Sequence, residues 1–139
     1  MIAAGVGGSA AFAELDADDV RTLANLGLWG AFGGRAAEAL RLFEALTRLR
    51  PGAAWPHVGT AQALLASGRA HQAIRALEAA LDASPDDAEI RALLGLALRV
   101  GRQGAHERRV LGPLVDAASD SGGARLARGL AAADAPLSA

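Results

Sequence analysis

Three histidines, His57, His71 and His106, are the side chains of this sequence best suited to proton transfer or metal binding. None lies four residues from another histidine or within a His-Glu-x-x-His pattern, the spacing that would put two imidazoles on one helical face. The chain has no cysteine, which removes thiolate metal sites and disulfide frameworks. The serines show no Gly-x-Ser-x-Gly elbow for a nucleophile. "GVGGSA" (5–10) is glycine-rich, but no Gly-Lys-Ser/Thr follows and no strand precedes, so it does not read as a phosphate cradle. The acidic pairs Asp18-Asp19 and Asp86-Asp87 stand where helices are expected to begin, and the helix dipole accounts for carboxylates there. The sequence is therefore read as non-catalytic, without cofactor or metal.

Composition points the same way. The chain has 139 residues, 52% of them hydrophobic, with only three Phe, two Trp and no Tyr. An interior of Ala and Leu favours closely packed helices over a β-sandwich, which draws on β-branched and aromatic residues. All basic residues are arginine, and a net charge of −1 with interspersed signs offers no general attraction to nucleic acid or anionic membrane. No apolar run approaches the length of a membrane span. "MIAAGVGGSAAFAELD" lacks a basic start and an unbroken apolar run, so it is expected to be a flexible tail over 1–17 and not an export signal.

The elements follow from a period of 34 residues. Pro51 and Pro85 are that far apart, as are Gly34 and Gly68, Arg35 and Arg69, and Ala39 and Ala73. Phe43, Leu77 and Leu111 make a three-member series, and Gly27, Ala61 and Gly95 another. Small residues at matching positions on two helices allow close approach. Gly34 and Gly68 can end a helix in the left-handed conformation, and the prolines separate one unit from the next. The spacing predicts seven helices, at about 18–32, 35–49, 53–66, 69–83, 87–100, 104–117 and 123–133.

The third unit is irregular: Gly101 comes one position early, Glu107 stands where alanine is expected, and Pro113 should kink or shorten its helix. "ARLARGLAAA" (124–133) would cover the end of the stack, and 134–139 is expected to fray.

A sustained 34-residue period resembles the tetratricopeptide repeats, each a helix–turn–helix unit. The likeness covers residues 20–118, in three repeats at about 20–53, 54–87 and 88–118, inside a domain of 18–133. The implied fold is all-α, a right-handed superhelical stack of helix pairs with a C-terminal capping helix at 123–133. In such a stack the first helix of each pair lines a concave groove. Helical spacing assigns Arg21, Ala24, Asn25, Leu28 and Phe32 to that groove from the first repeat. It assigns Trp55, Val58, Gly59, Gln62 and Leu65 from the second, and Glu89, Ala92, Leu93, Leu96, Arg99 and Val100 from the third. Much of this stripe is apolar. Where some tetratricopeptide domains place the Lys, Asn and Arg that hold a C-terminal carboxylate, this chain has Ala24, Leu28, Gly59 and Leu93, and the stripe suits the apolar face of an amphipathic helix.

The irregular third repeat, the Ser/Asp/Gly loop and the Ala-rich last helix, "RALLGLALRVGRQGAHERRVLGPLVDAASDSGGARLARGLAAA", resemble the type III secretion needle-subunit co-chaperones (the YscG/PscG type). That resemblance implies a bacterial cytoplasmic chaperone, holding a secreted needle subunit by its amphipathic helix to prevent premature polymerisation. It also implies a second small helical partner packed on the first repeat, around Leu23, Leu26, Trp29, Phe32 and Leu40. Without its client such a protein is expected to self-associate, as a homodimer or aggregate, through the uncovered groove. Two alternatives keep the same fold: a translocator chaperone of the same machine, binding an extended segment, and a generic repeat adaptor.

Overall fold

The computed structural model describes residues 33–133, which form six helices and, among those residues, no strand. They are α1 (Ala36–Leu49), α2 (Trp55–Ala66), α3 (Ala70–Ala83), α4 (Ala88–Val100), α5 (Gly104–Val115) and α6 (Gly122–Ala133). Each lies within two residues of the range that periodicity predicts. The helix expected at 18–32 and the segments 1–17 and 134–139 lie outside the described residues. Each helix from α1 to α5 packs on the next, and α6 packs on both α4 and α5. The protein is all-α.

The main core runs from α1 to α4 and holds the residues that the 34-residue series selects. Ala39, Ala61, Ala73 and Leu77 are almost fully buried in it, with Leu46 and Phe43 equally enclosed. Closeness is the purpose of the small residues. A Cβ on Gly95 would overlap the Leu111 side chain, so α4 and α5 meet at a separation that only glycine allows there. A smaller core of Ala92, Leu111, Leu114 and Ala127 joins α4, α5 and α6.

The turn inside each pair follows one design. After α2, Gly68 adopts φ +76°. Its N–H donates to the Leu65 carbonyl at 3.1 Å, and the Arg69 N–H donates to Leu64 at 2.8 Å, a Schellman closure of the helix end. Gly34 has φ +87° at the corresponding position. The third unit keeps the same geometry with a different residue. Gly101 has φ −78°, and the left-handed position is taken by Arg102 at φ 60°. Arg102 N–H donates to Arg99 at 3.0 Å and Gln103 N–H to Leu98 at 2.8 Å. The early glycine has therefore not moved the turn. It has left a side chain in a conformation that disfavours one. Arg102→Gly should stabilise the fold by about 0.5–1 kcal/mol and raise the melting temperature by a few degrees. An unchanged or lower melting temperature would mean that contacts of the Arg102 side chain outweigh the backbone cost.

Other local signals act as their chemistry requires. Asp87 caps α4, its Oδ1 accepting from the Glu89 and Ile90 amides at 2.9 and 3.0 Å. Ser121 Oγ accepts from the Ala124 amide at 3.2 Å at the start of α6. Pro113 lies inside α5, which ends at Val115, two residues short of the expected 117.

The placement of α6 extends the period. Gly122 stands 34 residues after Ala88, where α4 begins. A Cβ on Gly123 would collide with the Ala88 backbone, so the first turns of α6 and α4 touch. Ala131 shares a cavity lining with Arg99, so the last turns are also close and the two helices run in the same sense. The residues of α6 equivalent to Leu94 and Leu98 are Arg128 and Ala132, neither of them buried.

Candidate functional site

Among the described residues the three histidines do not converge. His71 Nδ1 lies 3.4 Å from Gln103 Nε2 on the exposed side of α3, and His57 and His106 are half-buried on other helices. Among the described residues no group of three or more His, Asp or Glu side chains could hold a metal ion. Also among them, no helix is long and apolar enough to cross a membrane.

Among the described residues, a concavity of about 600 Å³ lies between α2 and α4. On α2, Trp55, Val58 and Gln62 line it at i, i+3 and i+7, the spacing that keeps side chains on one helical face. Pro56, at the start of α2, is fully buried and anchors the turn that carries Trp55. From α4 come Glu89, Ile90 and Leu93, with Asp87 at its cap, and Phe43 of α1 reaches the same space. Val58 and Leu93 also pack against the main core. Their positions are thus fixed by packing while part of each faces the hollow.

Of the predicted groove residues, Trp55, Val58, Gln62, Glu89 and Leu93 are brought together here, with Gly59 beneath Phe43. Leu65 is half-buried and packs against the main core, Leu96 is half-buried away from the hollow's lining, and Val100 is 53% exposed. Arg21, Ala24, Asn25, Leu28 and Phe32 of the predicted groove, and Leu23, Leu26 and Trp29 of the second surface, lie outside the described residues.

Three expectations need correction. Ala92 does not face a groove, because α6 covers it in the second core. Leu40, expected on a second partner's surface, belongs to the main core. Arg99 turns to the other side of α4 and pairs with Glu107, its Nε and Nη2 at 2.8 and 2.7 Å from one carboxylate oxygen. That pair borders a separate hollow of about 370 Å³ among α4, α5 and α6. Glu107 is only 7% exposed, in the slot filled by Ala39 and Ala73 in the earlier units. A longer acidic side chain there needs a cation, and Arg99, eight residues back on the facing helix, supplies it.

Sequence reasoning missed Phe43, Ile90 and Asp87 as parts of the hollow. Phe43 and Ile90 carry core spacing and are buried, and nothing in their spacing marks the edge each gives to the cavity.

The Tetratricopeptide repeat family model matches residues 33–97, from just before α1 to near the end of α4. No curated protein gives a match to the sequence. The family match supports a tetratricopeptide-repeat protein, and such repeats are typically non-catalytic modules that bind other proteins.

Proposed function

We propose that this chain is a non-catalytic chaperone that shelters the apolar face of an amphipathic helix in the hollow between α2 and α4. The observation that carries the proposal is the convergence of half-buried Trp55, Val58 and Leu93 around an open space of about 600 Å³. Helix-in-groove recognition needs apolar anchor sites in a row on a rigid wall, and two packed helices provide one. Following the likeness of the last forty or so residues, the client is a type III secretion needle subunit held in the bacterial cytoplasm. A subunit that polymerises through an apolar helix has to have that helix covered until export, and this requires no catalytic group.

The test is co-expression of the chain with a needle subunit, followed by size-exclusion chromatography. The expected result is a soluble complex in which the subunit stays unpolymerised, lost on Leu93→Glu, with circular dichroism showing that the variant remains helical. A charge on this wall would have to be buried against the client without a partner, costing several kcal/mol of binding energy. A needle subunit that polymerises unhindered in the presence of the wild-type chain would remove the chaperone assignment. Capture of an extended segment instead of a helix would favour the translocator-chaperone alternative.

A further inference from the structure

The hollow has a chemical polarity that an apolar stripe alone does not explain. Its charged lining residues, among those described, are Asp87 and Glu89, and no arginine or lysine joins them. Asp87 makes both of its capping bonds through Oδ1, so Oδ2 can accept from another donor. Glu89 is exposed, its carboxylate lies beside Gly122 at the start of α6, and it engages no cation among the ion pairs of the described residues. The arginine nearest in sequence, Arg91, donates its Nη2 to the Pro85 carbonyl at 2.7 Å. Trp55 lines the same space, and an indole face attracts a cation when water is partly excluded.

We infer that this hollow takes an amphipathic helix with a lysine or arginine at one end of its apolar stripe, the cation lodging beside the Trp55 indole and the Asp87 and Glu89 carboxylates. The inference rests on the groove proposed above and adds the sign of its partner's charge. The apolar part of the partner lies along Val58 and Leu93, and the two carboxylates fix its direction and select against acidic competitors.

Two synthetic helical peptides of roughly 18 residues, long enough for five turns, provide the probe. Both carry leucine at i, i+3, i+4 and i+7, one with lysines flanking that stripe and the other with glutamates. Fluorescence anisotropy with the full chain should show the lysine peptide binding at least about tenfold more tightly at low salt, with the advantage shrinking as salt is added. Glu89→Gln should narrow that preference, and Leu93→Glu should weaken both peptides. Val58→Ser, a smaller change on the same wall, serves as the control if Leu93→Glu does not fold. Equal binding of the two peptides, still sensitive to Leu93→Glu or Val58→Ser, overturns the cation inference and leaves the groove standing. Binding that neither wall variant affects overturns both.

Discussion

Phe43→Ala should cost roughly 3–5 kcal/mol of folding free energy, read as a lower denaturation midpoint with an unchanged slope. The ring is 1% exposed and lies over Gly59, so that a Cβ on Gly59 would fall within the space the ring occupies. Removing the ring leaves a cavity between α1 and α2 that the closely packed helices can only partly close. The same contact predicts a change of sign. In the wild-type chain Gly59→Ala forces the ring to shift and should destabilise by about 1–3 kcal/mol. Once Phe43 is alanine, the added methyl enters empty space. Gly59→Ala should then stabilise, by up to about 1 kcal/mol from helix propensity together with some filling of the cavity. A double-mutant cycle measures this coupling, and additive effects would show that the two residues do not compete for one volume. Phe43 also borders the hollow between α2 and α4. Its loss should weaken partner binding as well as folding.

Phe43 and Gly59 show how far the sequence could be read. A 34-residue recurrence reports positions that repeat, so it revealed Ala61 with Gly95 and Ala39 with Ala73, where two successive units each carry a small buried residue. Gly59 has Leu93 as its counterpart, so recurrence gave no reason to regard it as a close-packing glycine. Its need for glycine arises from one unusually large neighbour. Helix ranges were legible because prolines, glycines and Asp87 act within one turn of where they stand. The groove was legible on α2, where the spacing of Trp55, Val58 and Gln62 follows a single helix. It was less so on α4, because the face of Ala92 depends on where α6 lies, and the register of α2 and α4 contains no information about that. Arg99 was misassigned for a related reason. Its position marks the direction of the Cβ, but a long side chain goes where its partner is.

Arg99→Leu should be the more damaging half of the pair it forms with Glu107, at about 3 kcal/mol or more. The Glu107 side chain is 9% exposed against 24% for Arg99, so the carboxylate is the member with less access to water. Taking away the guanidinium leaves a buried anion that has lost both of its short contacts, and an uncompensated charge of this kind typically costs 3–5 kcal/mol. Glu107→Ala should cost less. It restores the small residue that Ala39 and Ala73 provide in the other units, and the arginine stem can extend towards solvent through the neighbouring hollow. Combining the two as Arg99→Leu with Glu107→Ala should recover most of the loss, since two apolar groups no longer require each other's charge. Urea denaturation of the four proteins decides the matter. If Arg99→Leu and Glu107→Ala cost the same and add in the double variant, the pair is a solvated contact despite its burial. Because Arg99 borders the other hollow and not the one between α2 and α4, folded Arg99→Leu protein should bind a helical partner as the wild type does. A loss of binding without a loss of fold would place the partner across α5 and α6 instead.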